Sequence, residues 1–212
     1  MKYPYMGVVA PSFILVPIGV AIKKYHSISL ELKVLFYFLV VSVALYVTST
    51  LLANYHTSNT FIIHADTIIE SLFLLRFYYI ISSRPAVKQW IVWLAILFPL
   101  FCCVNILFLQ GLDRHNTYSR PLEALIFILL SMNYWWQAGN GEPVDSWVNM
   151  PLNWIISGLL LYFAGAIFLF AFSNFLAYRY SSAVNLIVWN MHATLVLIMY
   201  LLFAVGFIKC KA

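Results

Sequence analysis

Continuous apolar runs, each bounded by a short group of charged, amide or proline residues, follow one another along the whole chain. Seven of them, near residues 6–22, 34–53, 60–80, 89–109, 118–138, 151–176 and 183–207, approach the roughly 20 residues an α-helix needs to cross about 30 Å of hydrocarbon. None shows the polar–apolar alternation of a membrane β-barrel strand. The pattern predicts an all-α integral membrane protein: a seven-transmembrane-helix bundle with short loops, residues 1–212 forming a single transmembrane domain with no soluble domain.

Composition agrees with this reading. Hydrophobic residues make up 64% of the 212 and charged residues 9%, with a mean hydropathy of +0.90. That leaves too little polar surface to cover a soluble domain. The net charge of +5 does not point to nucleic acid, because the basic residues sit at span ends and form no patch. They set a topology instead. With the N-terminus outside, the cytoplasmic side holds Lys23, Lys24, Lys33, Arg84, Lys88, Lys209 and Lys211, and the outside holds Lys2, Arg114 and Arg179. This bias favours an external N-terminus and a cytoplasmic C-terminus. Glu142 and Asp145 then lie inside, where acids contribute little to the rule. The first span contains Pro11 and Pro17 and lacks a clear small-residue cleavage site, so a retained helix is expected rather than a signal peptide. Cys102, Cys103 and Cys210 form neither a disulfide framework nor a metal pair.

Against this background five ionisable side chains stand out within the apolar stretches: Asp66, Glu70, Arg76, Arg120 and Glu123. Charge at membrane depth costs several kcal/mol unless paired or wetted. At 3.6 residues per turn, Asn59, Asp66 and Glu70 share one face of the third helix. Arg120 and Glu123 are adjacent on the fifth, which makes Arg120 a partner for Asp66 or Glu70. Asn185, Trp189 and His192 share a face of the seventh. All three helices run in the same direction, so these groups are expected at similar depth, in one outward-facing polar pocket. One guanidinium cannot neutralise three carboxylates, so some of the acids must be protonated, solvated or bound to a cation. Paired acids and an arginine can also simply fix helix register. No metal site is expected: His64 points away from the Asp66–Glu70 face, and no paired-histidine motif is present. No cofactor is expected either, and no Ser or Cys has a locally encoded base. On the sixth helix, Asn153, Ser157, Ala164 and Ala171 form a small-residue stripe that reads as helix packing.

The runs N-T-F-I-I-H-A-D-T-I-I-E at 59–70, W-I-I-S-G-L-L-L-Y-F-A-G-A-I-F-L-F-A-F-S-N at 154–174 and V-W-N-M-H-A at 188–193 together resemble an uncharacterised family of seven-span membrane proteins from Bacteroidetes-type bacteria. By matching position, Asn59, Thr67, Glu70, Tyr162, Trp189 and His192 look like its polar and aromatic landmarks. The resemblance implies a multi-pass protein of the bacterial inner membrane and, as a partner, a sensor histidine kinase. The expected function is a seven-helix sensor that binds a small or amphiphilic ligand through Asn59, Asp66, Glu70, Arg120, Glu123, Asn185, Trp189 and His192 and acts through that separate kinase. The alternative is a membrane-embedded enzyme or proton-coupled transporter that uses the intramembrane carboxylates and His192.

Overall fold

A computed structural model describes residues 4–55, 59–112, 116–139 and 146–210, and these contain helices and turns but no strand. Lys2, Arg114, Glu142, Asp145 and Lys211, used above for topology, lie outside the described residues. The long helices are α1 (Tyr5–Lys23), α2 (Leu30–Asn54), α3 (Thr60–Ile81), α4 (Pro85–Leu109), α5 (Ser119–Gly139), α6 (Pro151–Arg179) and α7 (Ser182–Ile208).

Local sequence explains their limits. Pro85 and Pro151 open α4 and α6 at the first helical position, where a missing N–H costs nothing. Ser181 caps α7 by accepting from the backbone N–H of Val184. Pro17 cannot donate to the carbonyl of Phe13, and α1 loosens into a turn at residues 13–14, where the Val16 N–H takes that carbonyl instead. The last turn of α4, Asn105–Leu109, is π-helical, and Gly111, with φ 71°, adopts the left-handed conformation that lets the chain leave the helix.

Among the described residues, five helices are long and apolar enough to cross a membrane: α1, α2, α4, α6 through Leu176, and α7. The other two, α3 and α5, have 22 and 21 residues and also exceed 30 Å in length, but they carry the charges Asp66, Glu70, Arg76, Arg120 and Glu123. The outer face of α4 presents Trp90, Trp93, Leu97, Leu100, Val104 and Leu107 to the surroundings at helical spacing. An exposed apolar stripe of this length suits contact with lipid rather than water. The chain is therefore all-helical and compatible with a multi-pass membrane protein.

The helices fall into two compact units, residues 30–123 in one and residues 1–29 with 124–212 in the other. In the first unit α2 packs on α3 and α3 on α4, around Leu32, Leu35, Leu39, Leu74 and Phe77. In the second, α6 packs along α7 and α1 along α7, around Phe127, Ile155, Phe163, Phe203 and Phe207. The close approach of α6 and α7 is made by Gly158, Gly165 and Gly206, where an added Cβ would lie 3.3 Å from Leu202 Cβ, 2.7 Å from Leu195 Cδ1 and 2.7 Å from Ile155 Cγ1, respectively. The small-residue stripe read from the sequence is therefore placed on the wrong side of α6: Ala164 and Ala171 are exposed, and buried Asn153 accepts a 2.7 Å hydrogen bond from the Tyr134 hydroxyl. Lys24, just beyond α1, donates to the carbonyls of Ile208 and Cys210 at the end of α7, at 2.7 and 2.5 Å.

Candidate functional site

The charged groups meet within the first unit, and a single guanidinium holds all three acids. The Nη2 of Arg120 donates to Asp66 Oδ2 at 2.7 Å, while its Nη1 donates to Glu70 Oε2 and, at 3.0 Å, to Glu123 Oε2. Asp66 and Glu70 are one turn apart on α3, and Arg120 and Glu123 are three residues apart at the start of α5. Helical periodicity alone thus puts two acids on one wall and the cation with the third acid on the other. Glu70 lies ten residues after Thr60, about 15 Å along the helix.

The three acids differ sharply in access to solvent. Side-chain exposure is 30% for Asp66, 8% for Glu70 and 0% for Glu123, with Arg120 at 13%. Charge does not balance: three carboxylates face one guanidinium, a formal excess of two negative charges if all are ionised. Glu123 Oε1 is buried without a hydrogen-bond partner.

Beside the ionic cluster lies a web of uncharged polar groups that holds the start of α5 against α3 and α4. The carboxamide of buried Asn105 donates to Asn116 Oδ1 at 3.2 Å, Ser119 Oγ at 3.1 Å and Gln110 Oε1 at 3.3 Å. Asn116 Oδ1 also accepts from the Ser119 backbone N–H at 3.2 Å, an N-cap for α5. The Asn116 amide donates to Thr67 Oγ1 on α3 at 3.2 Å. Gln110 Oε1 takes the Thr117 N–H at 3.1 Å. A π-turn at Asn105 sets this arrangement, and such turns concentrate at functional sites. The apolar pattern and helical periodicity single out none of Asn105, Gln110, Asn116 and Ser119, although amides flanking a short loop between apolar runs are a usable signal.

The remaining predicted residues each have contacts of their own. Asn59 donates to Ser49 Oγ at 2.8 Å and ties the start of α3 to α2. Asn185 donates to the carbonyls of Leu176, Tyr180 and Ser181 and caps the end of α6. Trp189 and His192 belong to the second unit. There the His192 ring contacts those of Tyr162, Phe170 and Trp189 at centroid distances of 5.7, 5.5 and 5.7 Å, and its Nε2 lies 3.4 Å from the Tyr162 hydroxyl. Arg76 is exposed, with its guanidinium 5.6 Å from the Tyr79 ring. No group of three or more His, Cys, Asp or Glu among the described residues is arranged to hold a metal ion. In the ionic cluster the point shared by the three acids is filled by Arg120.

Fold and cluster together describe an all-helical chain, compatible with a multi-pass membrane protein, that carries a largely buried, acid-rich ionic centre. No family model matches it, and neither the curated proteins nor the solved structures contain a match.

Proposed function

We propose that this chain is a seven-helix membrane protein that takes up and releases protons at the Asp66–Glu70–Arg120–Glu123 centre, coupling proton binding to the packing of α3 against α5. The observation that carries this reading is the three-to-one ratio of carboxylates to guanidinium in a largely buried cluster. A structural ion pair needs one acid. Each further buried carboxylate is tolerated only by binding a proton, water or a cation, and Asp66 offers the solvent-accessible edge through which protons exchange. All seven long helices cross the bilayer in this reading, because pairing within the cluster offsets the charge on α3 and α5. The Lys/Arg bias puts the N-terminus outside and the C-terminus in the cytoplasm, and the family resemblance points to the inner membrane of a bacterium.

The test is a pH step on the protein in lipid nanodiscs, with proton uptake counted by an indicator dye. Wild type is expected to take up at least one proton per chain more than an Asp66→Asn, Glu70→Gln, Glu123→Gln triple variant. Equal uptake by the two refutes the reading.

A second reading, a sensor that binds a small amphiphile and acts through a separate histidine kinase, is favoured by the aromatic surround of His192. Ring faces with one polar nitrogen suit an amphiphilic ligand. A kinase recovered in stoichiometric amount with the protein from native membranes, and lost in a His192→Ala variant, supports it.

A further inference from the structure

Resting on the proton-handling reading, we infer that the resident proton of the centre sits on Glu123, whose Oε1–H donates to the carboxamide oxygen of Asn105 directly or across one water, forming a proton-binding site of two residues.

Of the three side-chain oxygens buried without a partner in this unit, two, Glu123 Oε1 and Asn105 Oδ1, belong to residues that are 0% exposed, and the third, Ser82 Oγ, lies just past the last residue of α3. Both oxygens are acceptors when Glu123 is ionised, and two acceptors cannot satisfy each other. Adding one proton to Glu123 turns its oxygen into a donor and removes both deficits at once. The backbone brings the two residues to the same place. Asn105 donates to Ser119 Oγ at 3.1 Å, and Ser119 stands one turn before Glu123 on the same face of α5. The Nδ2 of Asn105 is spent on Asn116, Ser119 and Gln110, which leaves only its oxygen to receive.

The other titratable and charged groups around Glu123 rank behind it as proton carriers. Arg120 on α5 gives it a single contact at 3.0 Å, longer than the 2.7 Å contact to Asp66 on α3. Glu70, also on α3, shares Nη1 of Arg120 with Glu123 and is 8% exposed. Asp66 is 30% exposed, the most accessible of the three acids. Cys102 on α4 contributes a thiol beside Ser119, which is neutral when protonated and needs no counter-charge. Desolvation is most complete at Glu123, and the neutral form of a carboxyl is favoured where desolvation is greatest.

Infrared spectroscopy of the full chain in nanodiscs, with H/D exchange to identify carboxylic C=O bands, tests this. Wild type at neutral pH is expected to show one protonated-carboxyl band. Glu123→Gln, close in shape to the protonated acid, is expected to remove it, and Glu70→Gln to keep it. Asn105→Leu is expected to keep the band but move it to higher frequency, because the acceptor is lost. A band that survives Glu123→Gln or vanishes in Glu70→Gln overturns the assignment to Glu123 while leaving the proton-handling reading in place. An Asn105→Leu band at the wild-type frequency overturns the two-residue site. Absence of any protonated band in wild type, at every pH where the protein stays folded, overturns the inference and the underlying reading together.

Discussion

Adding a single methyl group at Gly206 probes the tightest contact between α6 and α7. A Cβ there would lie 2.7 Å from Cγ1 and 3.0 Å from Cδ1 of Ile155, and 3.0 Å from the carbonyl oxygen of Pro151. Carbon atoms prefer about 3.5–4.0 Å, so the neighbours must yield by close to 1 Å. Ile155 is fully buried and β-branched, with essentially one helical rotamer, and a backbone oxygen moves only with its helix. Overpacking of this kind costs about 1–3 kcal/mol, while replacing glycine in a helix returns up to about 1 kcal/mol. Gly206→Ala should therefore lose about 1–2 kcal/mol. Gly165→Ala is the internal control. Its Cβ meets Leu195 Cδ1 at 2.7 Å, but that atom is the methyl end of a partly exposed side chain. A strained rotamer costs about 0.5–1.5 kcal/mol, so the propensity gain roughly cancels it. Thermal unfolding of both variants in one detergent, at about 2–4 °C per kcal/mol for a chain of this size, separates them. A Gly206→Ala protein as stable as wild type beside a Gly165→Ala protein several degrees lower would refute the reasoning.

Lys24→Met should destabilise the protein by about 1 kcal/mol, because it removes a cation and two hydrogen bonds from the carbonyl end of α7; Lys24→Arg should keep most of that stability in the same unfolding assay. Asn116→Ala should cost about 1–2 kcal/mol through loss of the α5 cap and the link to Thr67, and amide exchange at the start of α5 should accelerate. Single cysteines introduced at Tyr55 and Ala86 report topology: a membrane-impermeant thiol reagent applied from outside should label the first and not the second, and the reverse pattern overturns the orientation.

The helix limits were largely legible because apolar runs and their polar breaks are properties of the chain alone. The stretch read as 60–80 is Thr60–Ile81 and that read as 118–138 is Ser119–Gly139. Where the reading starts late, at 34 for α2 and 89 for α4, the missing turns, beginning at Leu30 and Pro85, are amphipathic and contain Lys33 and Lys88. A search for unbroken apolarity stops at such residues, although a lysine near a helix end can bury its apolar stem and extend its charge to the surface. The pairing of Arg120 with acids on α3 was also legible, because periodicity fixes faces and charge forces a partner. Its full extent was not: that one guanidinium reaches Asp66, Glu70 and Glu123 together depends on rotamers and helix separation. The amide web around Asn105 was hidden for another reason. A π-turn and a loop in which side chains bond one another carry no periodic signal, so Asn116 and Ser119 look like ordinary loop residues until the fold brings them onto Thr67 and Asn105. The small-residue stripe read on α6 is not the face that meets α7: its alanines, Ala164 and Ala171, are exposed, and the close approaches are made at Gly158 and Gly165.

The two long helices outside the apolar five are the two that bear the cluster, and this bears on whether the charges merely set helix register. For Asp66 and Glu70 on α3, or Arg120 and Glu123 on α5, crossing hydrocarbon alone would cost roughly 2.5–3.5 kcal/mol per charge near mid-membrane. Pairing across α3 and α5 offsets part of that, which suffices to explain one arginine and one acid. It does not explain a third carboxyl with 0% exposure, placed where its second oxygen meets no donor. If register were the only requirement, a glutamine or an apolar residue at position 123 would serve better, since a buried ion pair is often matched by apolar packing. The excess acid makes sense if the group is neutral when buried and ionises when the surrounding helices part. A carboxyl that exchanges its proton on opening links solvent pH to the contact between α3 and α5.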